Sequence, residues 1–219
     1  IPPGRYERLV EDMRRSVDEW VASGRERPNY GEFWVAMTLR YFAEEHVDVA
    51  VVEVGAGGRF DVTNVIEPDV AAITSVGLDH TVTLGSTLPE IAWHKAGIIK
   101  PGSVAVTADT WNRGVPDSAE DGRTTRGGRR GTGAELVVVR EDERYRDVHA
   151  DADGTSFVDG ATGERLRVEL PGTFQATNAA MAVEIARRFT HDHLPVETIR
   201  AGLAAGPLPG RRGARLQQT

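Results

Sequence analysis

Three side chains in this sequence have types and positions suited to chemistry: the carboxylate of Glu53, the imidazole of His80 and the amine of Lys95. Glu53 lies in the β-branched run Val47–Val54, just before Gly55-Ala56-Gly57-Gly58, and His80 follows the run Val70–Val76 and Gly77-Leu78-Asp79. In open α/β sheets ligands bind outside the carboxyl ends of the strands, so both positions are candidates. Each has an ordinary reading too: a carboxylate near a strand end caps a loop, and a lone histidine makes a structural hydrogen bond. Lys95 adds weight to the first reading. The 26 basic residues comprise 24 Arg and only two Lys, Lys95 and Lys100. A lysine amine can lose its proton and react, whereas a guanidinium effectively cannot. On a helix opened by Thr87, positions 88, 91, 92 and 95 share one stripe and read Leu, Ile, Ala, Lys. The competing reading is a lysine stem that snorkels out of an apolar face.

These side chains need elements to hold them. Val47–Val54 reads as a strand covered on both faces, Val70–Val76 as a second and Ser103–Thr107 as a third. Thr87-x-x-Glu90 has the capping-box form and opens a helix that Gly97 closes. Strand, helix, strand in this order implies a right-handed crossover and an α/β fold: a doubly wound, mostly parallel sheet with flanking helices. Upstream, Arg5–Ala22 reads as an amphipathic helix with Leu9, Met13, Val17, Trp20 and Val21 for packing, and Gly31–Glu45 as a second helix. Downstream, Glu135–Val139 reads as a strand, and Thr155–Val158 with Arg165–Leu170 as a small β-hairpin. Helices are expected from Phe174 to Phe189 and from Pro195 to Ala205. Asp109–Gly133 lacks apolar periodicity and reads as a disordered or diverged loop.

Composition bounds the function. With 219 residues, 40% apolar and 27% charged, one domain with one core is expected, spanning residues 1–211 with a tail at 212–219. A formal charge of −7 argues against a nucleic-acid footprint. The absence of cysteine removes disulfides, thiolate zinc sites and cysteine nucleophiles. No apolar run approaches the roughly 20 residues that span a bilayer, so the chain reads as cytoplasmic with no membrane partner.

Four ordered blocks carry a resemblance. Glu53-Val54-Gly55-Ala56-Gly57-Gly58-Arg59-Phe60-Asp61-Val62-Thr63-Asn64 comes first, then Gly77-Leu78-Asp79-His80 with Leu84-Gly85. Lys95-Ala96-Gly97-Ile98-Ile99-Lys100-Pro101-Gly102 follows, and then Pro171-Gly172-x-Phe174-Gln175-x-x-Asn178 with Leu208-Pro209-Gly210-Arg211. Together they resemble the folylpolyglutamate synthase and dihydrofolate synthase family of Mur-type ligases. The resemblance implies an ATP-dependent ligase that joins L-glutamate to a folate or dihydropteroate carboxylate through an acyl phosphate. It implies that Glu53, His80 and a carbamylated Lys95 hold magnesium, with His80 and Lys95 catalytic. It further implies that Asn178 and Arg211 contact ATP, and that Arg59, Phe60 and Asp61 contact the pterin-bearing substrate. For Asn178 a local helix-start bond, and for Arg211 a solvated charge, are the alternatives.

The sequence also departs from that family. The motif G-x-x-x-x-G-K-S/T, whose backbone cradles phosphates, does not occur, and the glycine-rich stretch Arg126–Gly133 has no lysine. Residue 94, commonly Glu in the family, is His94, and residue 56, commonly Leu, is Ala56. The chain therefore reads as a central-domain fragment or a noncatalytic remnant, with missing segments supplied by another chain as a further possibility. An S-adenosylmethionine methyltransferase is the other enzyme class considered, from Val51–Gly57. It wants a third glycine at position 59, where Arg59 stands, and it leaves His80 and Lys95 unexplained.

Overall fold

Pro2 and Pro3 open the chain's first helix, α1 (Pro3–Ala22), where a missing N–H leaves no bond unmade. Leu9, Met13 and Val17 repeat every four residues and form its buried stripe. Asn29 and Glu32 form a reciprocal capping box that starts α2 (Tyr30–Glu44). Leu9 and Met13 pack with Met37 of α2, and the pair is tied at its rim by Arg5–Glu44 at 2.8 Å and Arg40–Asp12 at 3.1 Å. Trp20, expected to pack, is instead half exposed: its indole N–H donates to the Glu26 carbonyl at 2.9 Å and Arg25 lies over its ring. The computed structural model describes residues 1–108 and 133–205, and it divides into two compact units, the first Ile1–Ile66 and the second from Glu67 onward.

The expected strand Val47–Val54 does not form. No ladder pairs this segment among the described residues, and Val51 is 92% exposed. The physical reason is that β-branched residues favour extended backbone but cannot supply the neighbouring N–H and C=O groups that make a strand. The first unit ends in a short 3₁₀ turn at Val62–Val65.

In the second unit β1 (Val70–Ile73), β2 (Val104–Ala108) and β3 (Glu135–Val139) form a parallel sheet in the order β1-β2-β3. The α/β class expected from the sequence is therefore present. Between β1 and β2 the chain makes α3 (Thr81–Leu84) and α4 (Leu88–Ala96), the latter opened by the Thr87–Glu90 capping box and ended at Gly97. Side chains of β2 alternate between two cores. Ala105 joins Ala92, Ala96 and Ile99 on one face, while Val106 and Ala108 join Ala176, Ala180 and Val183 on the other. That alternation makes the central strand buried on both sides, as a doubly wound sheet requires.

Beyond β3 lies an antiparallel sheet of three strands, β4 (Tyr145–Ala150), β5 (Thr155–Asp159) and β6 (Arg165–Val168), with β5 central and buried throughout. The expected hairpin is its β5–β6 half. Strand β4 escaped the sequence reading because a register shift between Arg146 and His149 interrupts its alternation. Helix α5 (Phe174–Phe189) covers the core, and α6 (Val196–Ala204) follows. No described helix is long and apolar enough to cross a membrane. Residues 109–132 of the expected loop and residues 206–219, Arg211 included, lie outside the described residues.

Candidate active site

In the first unit the segment Gly55–Asn64 is built around the carboxylate of Asp61. One oxygen accepts the backbone N–H groups of Gly55 at 3.1 Å and Ala56 at 3.2 Å, and the other accepts the N–H of Thr63 at 2.9 Å and its hydroxyl. The Asn64 amide closes the turn by donating to the Arg59 carbonyl at 2.9 Å. Gly57 at φ 71° has the left-handed backbone that glycine tolerates best. Partial burial works against the Asp61 charge, yet the hydrogen bonds from Thr63, Ala56 and Gly55 outweigh it and hold its carboxyl below the usual carboxylate range.

A group with a depressed pKa in the folded state stabilises the fold above its unfolded pKa, and that contribution is lost as pH falls through the folded value. Asp61→Ala is therefore expected to lower stability by about 1–3 kcal/mol at neutral pH. The gap from wild type should narrow progressively below about pH 4, the region of an unperturbed Asp. Urea unfolding of both proteins at pH 7 and at progressively lower pH checks this, and a gap that stayed constant would contradict it.

The same unit contains an open cleft of about 440 Å³. Glu53, Asp61 and Thr63 line it together with Tyr30 and Trp34 of α2. Tyr30 meets Trp34 edge-on with ring centroids 5.9 Å apart, and Trp34 stacks on Tyr6. Neither aromatic was among the expected site residues. The signal available in the sequence was the Asn29-x-x-Glu32 capping box, which starts α2 at Tyr30 and so fixes the spacing of both rings. Phe60 is exposed, and Arg59 is half-buried.

The second unit holds His80, Lys95 and Asn178. His80 stands seven residues beyond the end of β1 with a left-handed backbone (φ 50°), and its carbonyl accepts the N–H groups of Thr83 and Leu84 to start α3. Its imidazole is more than half exposed, 3.8 Å from Asp79. It is not a core histidine. Lys95 is half-buried in the last turn of α4, on the side of the helix where Ile91, Ala92 and Ala96 are buried. Asn178 is exposed in the second turn of α5, where its amide donates to Gln175 Oε1 at 3.1 Å, a side-chain partner in place of the backbone one weighed above. Glu53 belongs to the first unit and the other two expected metal-binding residues to the second. Among the described residues no three His, Asp or Glu side chains form a cluster able to hold a metal ion.

The α/β fold with its parallel sheet and flanking helices agrees with what comparison with known proteins finds. The pattern of the Mur ligase middle domain matches residues 26–186, and the chain belongs to that family. Among its relatives, the dihydrofolate synthase/folylpolyglutamate synthase of Bacillus subtilis is 34% identical over 207 residues, covering 93% of this chain and 47% of that protein. Among solved structures, the apo form of L. casei folylpolyglutamate synthase superposes with a TM-score of 0.79 at 32% identity, over 96% of this chain and 52% of that one. Mycobacterium tuberculosis folylpolyglutamate synthase, solved in complex with ADP and AMPPCP, gives 0.77 at 33% identity, over 96% and 48%. The chain thus spans about half the length of the relatives it matches. These likenesses replace the methyltransferase reading.

Proposed function

We propose that this chain is the central part of an ATP-dependent ligase that joins L-glutamate to the carboxylate of a folate or dihydropteroate. The observation that carries the reading is 34% identity over 207 residues to a protein named for that synthesis, together with the matching fold. In the reaction proposed, an oxygen of the acceptor carboxylate attacks the γ-phosphorus of ATP and ADP departs. The amine of glutamate then opens the acyl phosphate, and inorganic phosphate leaves.

The roles follow the residues. Glu53, His80 and Lys95, the last as a carbamate, offer two oxygen donors and an imidazole nitrogen, a set that suits a hard divalent cation, and the exposed His80 ring is reachable from solvent. Magnesium bound there would offset negative charge on the phosphates. His80 and Lys95 thereby count as catalytic. Asn178 and Arg211 orient the nucleotide. Arg59 and Phe60 meet the acceptor ring, and Asp61, with both oxygens engaged by its own loop, presents them. We place residues 1–211 in one central domain, a cytoplasmic setting accompanies this reading, and segments beyond these residues complete the ligase.

The 219 residues contain no phosphate-cradling G-x-x-x-x-G-K-S/T motif. On their own they are expected to release no phosphate in response to glutamate, while retaining saturable binding of Mg-ATP or dihydropteroate and none of S-adenosylmethionine. Calorimetry with the three ligands, beside a phosphate-release assay, tests this. Saturable binding of S-adenosylmethionine alone would reverse it.

A further inference from the structure

The antiparallel sheet holds α5 by polar bonds placed at the start of the helix. Thr155 of β5 is completely buried, and its hydroxyl lies 2.8 Å from the Leu170 carbonyl and 3.0 Å from the Gly172 carbonyl, the two that lead into α5. Tyr145 of β4 is buried as well, and its hydroxyl bonds that of Thr177 in the first turns of α5 at 2.7 Å. Between these two contacts the chain is tightly set. Gly172 has φ 113°, a backbone that strains any residue with a Cβ, and a Cβ there would also push the Phe174 ring aside. The helix has no side-chain cap of its own: Thr173 at the N-cap makes no capping bond. Beside the packing of Ala176 in the core, two hydroxyls of the antiparallel sheet thus bond the approach to the helix and its first turn, and Asn178 is the next residue after Thr177.

We propose that Tyr145 and Thr155 are positioning residues that set the register and direction of the Phe174–Asn178 turn, and so act on nucleotide binding through Asn178. The inference rests on the role proposed above for Asn178. A buried hydroxyl is costly to keep unless bonded, so two such groups aimed at the start of one helix specify its position as well as filling the core. The rest of α5 packs by its buried face in the core shared with β2, β3 and the antiparallel sheet, and its last turn is tied to that sheet by Arg187 on Asp159 of β5.

The test uses the full 219-residue chain with Tyr145→Phe, Thr155→Val and Thr155→Ser. The first two remove a hydroxyl with little change of shape, and the third keeps it. Two readouts are taken: the Kd for Mg-ATP by calorimetry, and hydrogen exchange of the amides of Phe174–Asn178 against those of Met181–Arg187 in the same helix. We expect Tyr145→Phe and Thr155→Val each to weaken Mg-ATP binding by about five- to tenfold. They should speed exchange in the first turns by a similar factor and leave Met181–Arg187 unchanged, and Thr155→Ser should behave as wild type. A merely structural role would speed exchange along the whole helix and would not single out the first turns. Unchanged exchange and unchanged affinity in both hydroxyl deletions would overturn the inference. If the wild-type chain binds no Mg-ATP, the role given to Asn178 fails, and the exchange data alone decide whether the two hydroxyls position the turn.

Discussion

Replacing Asp159 by alanine is expected to lower the unfolding free energy by about 3–5 kcal/mol, the cost of leaving a buried charge without its partner. Asp159 is 3% exposed and takes both arms of the Arg187 guanidinium, at 2.9 and 2.7 Å, while Thr162 donates its N–H and its hydroxyl to the same carboxylate. Arg187 is nearly as buried, so the alanine variant strands its cation between β5 and α5. Burial disfavours the Asp159 charge, but the bonds from Arg187 and Thr162 outweigh it and hold the carboxyl below its usual range. Because the folded pKa is depressed, this stabilisation is present above the unfolded pKa, near 4, and is lost as pH falls below it. Arg187→Met should cost about as much as Asp159→Ala, whereas the double variant Asp159→Leu, Arg187→Met should recover most of the loss, since an apolar pair leaves no charge unpaired. Urea unfolding of the four proteins measures these differences. A single-variant loss below 1 kcal/mol would show that the pair is solvated and the sheet is held on α5 by packing alone.

The second large effect concerns Lys95. In a chimera that carries these residues in place of the matching segment of the L. casei synthase, Lys95→Arg is expected to lower glutamate-dependent phosphate release by at least about a thousandfold with the fold intact. Arginine keeps the charge and nearly the length, but it cannot be carbamylated and offers no oxygen to a metal. Lys95→Ala should regain part of its activity in added acetate, because a small carboxylate can occupy the vacated oxygen position. Circular dichroism separates a folding defect from a chemical one. Full activity of Lys95→Arg would exclude the carbamate and leave the lysine as a stem covering the apolar side of α4.

Much of the architecture could be read from local pattern. The capping box at Thr87 and the apolar spacing after it fixed α4 and the stripe that carries Lys95, and the periodicity from Phe174 fixed α5 at both ends. Val47–Val54 misled because composition records a preference for extended backbone and not the presence of a pairing edge. Residues 145–150 alternate poorly, so β4 had no two-residue period to show. The Asp159–Arg187 pair joins residues 28 apart in sequence, across two elements, and no short motif encodes such a contact. Within the candidate site, Arg59-Phe60-Asp61 was legible only by resemblance. What that resemblance did not convey is that Asp61 commits its oxygens to Gly55, Ala56 and Thr63, a local fold only the backbone path reveals.

The wild-type chimera is the most direct test of the account as a whole. If these residues form the central domain of a glutamate-adding ligase, the chimera will release phosphate from ATP only when both glutamate and a folate or dihydropteroate are present, and the product will be heavier by one glutamyl residue. A chimera that folds and binds Mg-ATP but forms no glutamylated product would contradict it.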